Sequence, residues 1–555
     1  MYIENINSPK DIKKLSVEQL SVLAEEVRTA LIRKLSEHGG HIGPNLGMVE
    51  TTIALHYVFN SPIDKIVFDV SHQSYVHKML TGRMAAFLDP AKYDDVTGYT
   101  NPDESEHDFF TIGHTSTSVS LAMGLAKGRD LTGGKENIIA VIGDGSLSGG
   151  EALEGLNNAA MLGSNMIIIV NDNDQSIAEN HGGLYKGLKE LRDTNGESPD
   201  NIFKAMGLEY YYLGDGHDVS ALIKLFTSVK DIDRAVVLHI HTIKGKGLKY
   251  AEENKEYWHA GGPFHIEDGS PKGPGWPVNE TVRESVLDLI EKRSDVVAIT
   301  AGTPSVIGFT EDYRKRAGKQ FVDVGIAEEH AVAMASGIAR NGGTPIFGVF
   351  SPFLQRTYDQ LSSDLCLNNN PAVIMVFMAS VYGMNSNTHL GIYDIPMISH
   401  IPNLVYLAPT SKEEYLAMFK YATTQKAHPI AIRIPMMMPE TGIEDTTDYS
   451  LLNKYQVVRK GSSVAIIALG DFFELGVQIA DKYKILTGND VTLINPKFIT
   501  GIDEELLECL KTDHELVLTL EDGIVEGGFG QTIASFYGLS DMKVKNYGIK
   551  KSFPT

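Results

Sequence analysis

The sequence predicts an α/β protein made of three α/β domains in tandem. Short apolar runs rich in β-branched residues alternate with amphipathic helical patterns, which is typical of βαβ units and a parallel sheet. A Gly- and Pro-rich stretch at residues 261–280 and a polar stretch at residues 439–450 interrupt this alternation. The length of 555 residues is enough for about three to five domains.

The first domain is predicted to span residues 1–260. A helix is expected over residues 16–38, because Ser16 is a suitable N-cap and a Gly-Gly pair follows the last turn. Further helices are expected at residues 49–59 and 151–162. The predicted strands of this domain lie at residues 65–70, 138–143, 166–172 and 235–242.

Two more α/β series follow a predicted linker at residues 261–280, whose Gly and Pro content is typical of a connection between domains. The second domain is predicted at residues 281–440, with strands at 296–300, 344–350, 372–378, 405–409 and 429–435. The third is predicted at residues 441–555, with strands at 464–470, 490–496, 515–520 and 542–548.

Composition excludes several classes of partner. The formal net charge is −22, so the chain has no general attraction for a phosphate backbone and nucleic acid is not expected as a partner. Two cysteines, Cys366 and Cys509, do not indicate a disulfide framework or a cysteine metal site. The first residues lack the apolar core of a signal peptide, and no apolar run reaches the length of a membrane span. We therefore expect a cytoplasmic protein that does not bind membranes.

The densest chemical signal lies in residues 138–174. One predicted strand ends at Gly143-Asp144-Gly145 and the next ends at Asn171-Asp172-Asn173. Strand C-termini are ligand-binding positions in open α/β sheets, and glycine lets the backbone come close to phosphate oxygens. The carboxylate of Asp144 and the amide oxygen of Asn173 are suitable ligands for Mg²⁺. The pattern indicates a diphosphate held through a metal ion.

Two other interpretations of this pattern stay open on spacing alone. A glycine-rich turn after a strand also occurs in nicotinamide and flavin dinucleotide sites, and it can be purely structural. Asp144 favours the metal interpretation, since a carboxylate beside a pyrophosphate needs a cation. The second strand also lacks the acidic ribose ligand that a dinucleotide site places there.

The two motifs together resemble the signature of thiamine-diphosphate enzymes. The flanking segments resemble the 1-deoxy-D-xylulose-5-phosphate synthase family over nearly the whole chain. The segments that carry this resemblance are GGHIGPNLGMVETTIALHYVF (39–59), FDVSHQSYVHKMLTGR (68–83), TIGHTSTSVSLAMGLA (111–126), NDNDQSIAEN (171–180), DVGIAEEHAVAMASGIA (323–339), SPFLQRTYDQ (351–360) and EDGIVEGGFG (521–530).

The resemblance implies thiamine diphosphate and Mg²⁺ as cofactors, bound by two parallel-sheet domains that precede a transketolase-type C-terminal domain. Asp144, Asn173 and the carbonyl of Gln175 are the implied metal ligands. Glu328, the first Glu of I-A-E-x-H, is the implied acid that activates the cofactor through its aminopyrimidine ring, on which Phe353 is expected to stack. An exposed Glu at a helix start is the bland alternative for Glu328.

Further site residues follow from the same resemblance. Histidines with pKa values near neutrality can donate to or carry protons for a reacting oxygen, although each could equally be a satisfied structural residue. The implied catalytic histidines are His41, His72, His259 and His389. The other residues implied to contact the cofactor are Gly113, His114, Thr115, Gly145, Ser146 and Lys244.

The implied reaction decarboxylates pyruvate and joins the two-carbon unit to an aldehyde, glyceraldehyde 3-phosphate, in a homodimeric enzyme. Arg356, Asn385 and His389 are the implied acceptor residues. The sequence also departs from the family at several positions. Asn385 stands where the family has Asp, Phe350 where it has Tyr, and the segment after SIAEN is shorter than usual.

Two arginines that hold the acceptor phosphate in the family are Met378 and Met436 here, while Arg433 is retained. Each lost charge-assisted hydrogen bond is worth about 1.5–3 kcal/mol. One alternative is therefore a related transketolase-type carboligase with a different acceptor, such as an unphosphorylated aldehyde. Another is a paralogue that binds the cofactor without turnover, against which the intact Asp144, Asn173 and Glu328 argue.

Overall fold

The computed structural model describes residues 1–273, 279–383 and 386–554. Contacts divide the chain into two units: residues 1–277 with 325–327 form unit 1, and residues 278–324 with 328–555 form unit 2. Unit 1 contains the first predicted domain, and unit 2 contains the second and third.

The elements of unit 1 alternate between strands and helices as the sequence predicts. The strands are β1 (Lys65–Phe68), β2 (Ile138–Gly143), β3 (Met166–Asp172), β4 (Glu209–Leu213) and β5 (Ala235–His241). The helices are α1 (Pro9–Ile12), α2 (Val17–His38), α3 (Ile42–Gly47), α4 (Val49–Val58), α5 (Tyr75–Lys78), α6 (Ala85–Leu88), α7 (Ser118–Thr132), α8 (Gly150–Ala159), α9 (Gly183–Asp193), α10 (Ile202–Ala205), α11 (Val219–Val229) and α12 (Lys249–Glu253).

The sheet of unit 1 is parallel throughout its described part, with the strand order β1-β2-β3-β5-β4. Alternate residues of β2 face opposite sides. Ile138 and Ile142 join one apolar cluster with α7 and α8, whereas Ile139 and Val141 join another with α4 and α11. A sheet covered by helices on both faces needs apolar residues at every position, which explains the unbroken apolar runs.

Four strands of this sheet are confirmed, with ends that shift by two residues or fewer. Strand β4 is not among the predicted strands. It lies at a sheet edge, and its residues EYYYL are all half-buried. Such a run shows neither an alternating nor a continuous apolar pattern, so periodicity does not reveal it.

Helix α2 begins and ends where its sequence predicts. The Ser16 hydroxyl accepts a hydrogen bond from Gln19 N at 3.3 Å, and the Gln19 side chain accepts one from Ser16 N at 2.8 Å, which forms a capping box. Gly39 follows with φ +79°, a backbone conformation that L side chains rarely adopt. A Cβ there would also lie 2.5 Å from the Gly261 carbonyl oxygen. This turn places His41 at the start of α3.

The described part of the predicted linker is packed on unit 1. Gly40 and Gly261 exchange two backbone hydrogen bonds of 2.8 and 3.0 Å. Phe264 is 2 % exposed and contacts Trp258 edge-on, with ring centroids 4.8 Å apart. Residues 274–278 of the predicted linker lie outside the described residues.

Unit 2 contains two further α/β series. The strands are β6 (Val296–Thr300), β7 (Phe321–Asp323), β8 (Thr344–Phe350), β9 (Val373–Phe377), β10 (Val405–Leu407), β11 (Ile430–Arg433), β12 (Gln456–Arg459), β13 (Ser463–Ala468), β14 (Thr492–Asn495), β15 (His514–Ile524) and β16 (Lys543–Ile549). The helices are α13 (Glu280–Lys292), α14 (Glu311–Ala317), α15 (Glu328–Arg340), α16 (Ser351–Leu354), α17 (Asp394–Ile398), α18 (Lys412–Thr424), α19 (Phe473–Thr487), α20 (Glu504–Leu510) and α21 (Phe529–Tyr537).

The strands of unit 2 form two sheets in the described ranges. The first is parallel, with the order β10-β11-β9-β8-β6-β7. The second has the order β12-β14-β13-β15-β16, in which only β12 runs antiparallel to its neighbour. The edge strands β7 and β12 were not predicted, because β7 has three half-buried residues and β12 alternates between exposed and half-buried ones.

The three sheets lie within the three predicted domains, whose boundaries stay a prediction. One apolar cluster contains residues from both sheets of unit 2, for example Phe347 and Ile374 with Ile467 and Val517. Within the described ranges, no helix is long and apolar enough to cross a membrane.

A buried ion cluster also joins the two sheets of unit 2. Arg433, the last residue of β11, is 3 % exposed. Its Nε donates to Asp394 Oδ2 of α17 at 2.8 Å, and its Nη1 donates to Asp522 Oδ1 of β15 at 2.6 Å. The hydroxyl of Tyr406 donates to the same Asp394 oxygen at 2.5 Å. The guanidinium is therefore committed to two carboxylates in the interior.

We predict that Arg433→Met destabilises unit 2 by about 3–5 kcal/mol, because it leaves two buried carboxylates without their cation. Urea unfolding followed by circular dichroism should show a lower midpoint. Arg459→Met is the matched control, since it breaks a largely exposed ion pair with Asp481 and should change stability by less than about 1 kcal/mol. Equal midpoints for the two variants would contradict this prediction.

Candidate active site

The carboxyl ends of neighbouring strands meet at one edge of the sheet in unit 1. Strand β2 ends at Gly143, which pairs with Asn171 of β3. The backbone N–H of Asp144 donates to the Asn171 carbonyl at 3.1 Å, so the ladder continues one residue further. Because ligands of open α/β sheets bind at this edge, the loops after β1, β2, β3 and β5 form the candidate site of unit 1.

Asp144 and Asn173 present buried oxygens that have no hydrogen-bond partner among the described residues. Asp144 is 1 % exposed; its Oδ2 accepts hydrogen bonds from Gln175 N at 3.1 Å and Asn180 Nδ2 at 2.7 Å, but its Oδ1 has none. The Oδ1 of Asn173 is equally unpartnered. Burial and the negative charge of Asp172 raise the pKa of Asp144 well above its ordinary range. Unpartnered buried oxygens of this kind fit a hard divalent cation.

This donor set differs from a cluster of ionisable ligands. No group of three or more His, Cys, Asp or Glu that could hold a metal occurs in the part of the chain that the structure describes. The predicted set instead combines one carboxylate, one amide oxygen and one backbone carbonyl with phosphate and water, which suits Mg²⁺.

Gly145 and Ser146 lie where the loop after β2 contacts its neighbours. A Cβ on Gly145 would lie 2.6 Å from Ser176 Cβ, so glycine is needed here for the close approach of the loop after β3. The helix predicted at residues 151–162 is observed as α8, and a 3₁₀ turn (Gly145–Ser148) comes before it. The Ser146 carbonyl accepts a hydrogen bond from the Ser116 hydroxyl at 2.8 Å.

Lys244 follows β5 and supports the same loop. Its side chain is buried, and Nζ donates to the Ser176 carbonyl at 2.6 Å. Burial lowers the pKa of Lys244 to about 7. The ammonium therefore lies beside the turn that carries Asn173 and Gln175, which is compatible with the predicted cofactor contact.

The predicted Gly113, His114 and Thr115 form the loop before α7. The residues that follow this loop are held by the carboxylate of Asp69. Asp69, at the end of β1, accepts hydrogen bonds from the backbone N–H groups of Ser116 and Ser118, both at 2.9 Å. The segment therefore lies beside the loops that follow β1 and β2.

Three predicted histidines come together in unit 1. The ring centroids are 5.2 Å apart for His41 and His72, 5.3 Å for His72 and His259, and 6.0 Å for His41 and His259. Asn45 donates to the carbonyls of His41 and His72, both at 2.7 Å. Tyr99, which was not predicted, packs edge-on against His41 at 5.5 Å.

Burial lowers the pKa of two of these histidines below the neutral range. Burial lowers the pKa of His41 to about 4. Burial, with the charge of Lys244 nearby, lowers the pKa of His259 well below its ordinary value. Both rings are therefore neutral at pH 7, and they can still donate one N–H to a developing oxyanion.

Glu328 begins α15 in unit 2 and is buried, 4 % exposed. The alternative of an exposed helix-start carboxylate is therefore wrong. Its Oε2 has no hydrogen-bond partner within the described ranges. Burial raises the pKa of Glu328 to about 7, although the positive charge of Arg356 opposes this. A buried acid of this pKa and with a free oxygen fits a protonated or proton-sharing partner such as a ring nitrogen.

Phe353 and His389 also lie together in unit 2. Their ring centroids are 5.6 Å apart and nearly perpendicular, and Phe350 contacts Phe353 at 5.9 Å. The Thr388 hydroxyl lies 2.9 Å from His389 Nδ1. The structure thus groups Glu328 with Arg356, and Phe353 with His389. The predicted acceptor residue Asn385 lies outside the described residues.

Three family profiles and several full-length relatives match this chain. Residues 3–198 and 193–242 match the profile of 1-deoxy-D-xylulose-5-phosphate synthase, residues 277–439 that of the transketolase pyrimidine binding domain, and residues 453–551 that of the transketolase C-terminal domain. The 1-deoxy-D-xylulose-5-phosphate synthases of Carboxydothermus hydrogenoformans and Clostridium beijerinckii are both 37 % identical to it; the matches cover 100 % and 99 % of this chain and 94 % and 95 % of those proteins. The chain belongs to the 1-deoxy-D-xylulose-5-phosphate synthase family.

The family profiles and the three observed sheets confirm the predicted fold class. Membership in this transketolase-like family implies thiamine diphosphate as the cofactor. Among solved structures, transketolase from Campylobacter jejuni matches at 16 % identity with a TM-score of 0.41, over 97 % of this chain and 96 % of that chain.

The structure shows the surroundings of Arg433, Met378 and Met436, the positions that the family resemblance assigns to the acceptor phosphate. Arg433 was retained, but its guanidinium is bound to Asp394 and Asp522 and is thus committed to the interior. Met378 is partly buried against an apolar cluster that includes Phe350. The backbone N–H of Met436 donates to Asp471 at 3.2 Å, so a carboxylate lies beside one of the two lost arginines.

Several contacting residues were missed in the sequence. Asn180 ends the SIAEN segment and binds Asp144, so its motif was visible but its role was not. Asn45 and Asp69 act on backbone groups far away in the chain, and only the folded structure shows these contacts.

We predict that Glu328→Gln stabilises the cofactor-free protein in a pH-dependent way. The folded-state pKa of about 7 lies above the ordinary value of 4.5, so the buried carboxyl costs stability as pH rises from the lower to the higher value. The gain from the variant should grow by about 2–3 kcal/mol between pH 5 and pH 8. Thermal unfolding at both pH values measures it.

Glu329→Gln is the matched control, because it removes the partly exposed neighbouring carboxyl. A gain of equal size and pH dependence in this control would show that the burial of Glu328 is not the cause.

Proposed function

We propose that this protein condenses pyruvate with glyceraldehyde 3-phosphate to give 1-deoxy-D-xylulose 5-phosphate and carbon dioxide. The observation that carries this proposal is the similarity to synthases of that name over the full chain at 37 % identity. The alternative of a carboligase for a different acceptor is not favoured by these relatives.

The proposed cofactors are thiamine diphosphate and Mg²⁺. Asp144, Asn173 and Gln175 are the proposed metal ligands, and the unpartnered oxygens of the first two support this. Gly113, His114, Thr115, Gly145, Ser146 and Lys244 are proposed to contact the cofactor. When bound, thiamine diphosphate supplies the nucleophilic carbon and the electron sink of the reaction.

Glu328 is the proposed activating acid. Its buried carboxyl, with a pKa near 7, can hold or share a proton with a nitrogen of the aminopyrimidine ring at neutral pH. The positive charge of Arg356 stabilises the ionised form of Glu328. Phe353 is proposed to offer a flat apolar face to the aminopyrimidine ring. A hydrogen bond in this dry environment is stronger than it is in water.

The histidines are proposed to act as hydrogen-bond donors to oxygens of the reactants. Neutral His41 and His259 can each donate one N–H, and the ring of His72 packs against both of them. Their closely packed rings suit a small oxygen-rich substrate such as pyruvate. His389 and Arg356 are proposed for the acceptor, together with Asn385.

The test of this function is a steady-state assay with pyruvate and glyceraldehyde 3-phosphate. Carbon dioxide release and the product mass should match the proposed condensation, and Glu328→Gln should lower kcat by about 10²–10⁴-fold. Wild-type activity in Glu328→Gln would remove Glu328 from this role. Product formation only with another aldehyde would overturn the acceptor, and no turnover with any aldehyde would favour a paralogue that only binds the cofactor.

The substitutions at the acceptor positions lead to a further prediction. Met436→Arg, alone or with Met378→Arg, should lower the KM for glyceraldehyde 3-phosphate by about 10-fold or more, because a charge-assisted hydrogen bond to phosphate is restored. The KM for unphosphorylated glyceraldehyde should not change.

Met437→Arg is the matched control for this experiment. Met437 is the next residue and is 75 % exposed, so the same charge is added outside the interior. An equal fall in KM for this control would mean that the added charge acts at long range and not at the acceptor.

We also propose a homodimer, which the family resemblance implies. Light scattering coupled to size-exclusion chromatography measures the mass in solution against the 60.8 kDa of one chain. The cytoplasmic location expected from the sequence stays a prediction.

A further inference from the structure

Helix α9 places two polar side chains on the proposed metal loops. The Tyr185 hydroxyl donates to the Gly145 carbonyl at 3.1 Å. Seven residues later, Arg192 reaches the turn after β3: its Nη1 lies 2.8 and 2.6 Å from the two oxygens of Asp172, and its Nη2 lies 2.9 Å from Asp174 Oδ1. The guanidinium therefore spans the two residues that flank Asn173.

Asp172 is unavailable to a metal although it stands between two asparagines at the strand end. It is fully buried. Besides Arg192, His239 Nε2 contacts its Oδ2 at 2.8 Å and the Asp174 backbone N–H donates to its Oδ1 at 3.1 Å. Since a carboxylate only accepts, His239 Nε2 carries a hydrogen. Both oxygens are thus used in holding the turn.

The turn itself has a demanding backbone. Asp174 has φ +62°, a conformation that is uncommon for a residue with a side chain. The next residue, Gln175, donates its N–H to Asp144 at 3.1 Å. Asp144, Asn173 and Gln175 are the proposed metal ligands. Any loosening of the turn would therefore shift two of these ligands, Asn173 and Gln175, relative to the third.

We propose that Arg192 is a positioning residue of the metal site, which fixes Asn173 by clamping Asp172 and Asp174 and keeps Asp172 away from the metal. This inference rests on the proposed magnesium site. Asp172, Asp174 and Arg192 all lie within residues 3–198, the first piece of the match to the synthase profile.

The position and the charge of Arg192 predict opposite effects of its removal on metal affinity. If the charge of Arg192 were what mattered, its removal would leave two more unpaired carboxylates and bind a divalent cation more tightly. If its position matters, removal lets the turn move and binding weakens. Outer-shell partners of metal ligands typically change metal affinity by about 10–100-fold.

The experiment titrates the purified full chain with Mn²⁺ in the presence of thiamine diphosphate, and measures free Mn²⁺ by electron paramagnetic resonance. Arg192→Gln should weaken Mn²⁺ binding by about 10-fold or more. Lys189→Gln is the matched control, because it breaks an exposed ion pair with Asp193 on the same helix, and it should bind Mn²⁺ like the wild type. Unchanged or tighter binding in Arg192→Gln would overturn the inference.

Arg192→Lys covers the case in which Arg192→Gln does not fold. It keeps the charge but cannot contact both carboxylates as a planar fork, so binding should weaken by about 3–10-fold. Wild-type affinity in Arg192→Lys would overturn the inference. The readout needs no substrate; failure of the wild-type protein to bind Mn²⁺ with thiamine diphosphate would instead overturn the proposed cofactor site.

Discussion

The site in unit 1 depends on one geometric constraint, the convergence of parallel strand ends at one edge of a sheet. Each strand of a parallel sheet enters from the same side, so the loops after β1, β2, β3 and β5 must lie next to one another. Residues far apart in the chain, such as His72, Asp144 and Lys244, are thereby carried on loops at the same edge of the sheet.

Polar groups at that edge divide into two kinds. In some, such as Asp69 and Asp172, both carboxylate oxygens accept hydrogen bonds from backbone or side-chain donors, and these bonds hold loops in place. Others, such as Asp144 and Asn173, keep one oxygen unpartnered in the interior. An unpartnered buried oxygen destabilises the folded protein. The fully hydrogen-bonded carboxylates hold the turns rigid, and the rigid turns keep the unpartnered oxygens in place.

Much of the fold was predictable because the pattern of apolar residues along the sequence indicates which faces of an element are buried. Strands such as β2 and β9 are covered on both faces and appear as continuous apolar runs. The edge strands β4 and β7 are half-buried, β12 alternates between exposed and half-buried residues, and their sequences give no such signal. Among the proposed site residues, motifs pointed to Asp144, Asn173 and Glu328, whereas Arg192 and Asn45 could not be found, because their partners are distant in the chain. Neutral histidines could not be foreseen either, since desolvation depends on packing.

The side chain of Asn45 has a consequence for how this enzyme can vary. One amide group donates to the carbonyls of both His41 and His72, and its oxygen accepts the N–H of Tyr75. A single side chain thus ties the backbone at His41 to the backbone at His72. A substitution at Asn45 would loosen both histidine-bearing turns at once, whereas a substitution at Tyr99 would remove a contact with the ring of His41.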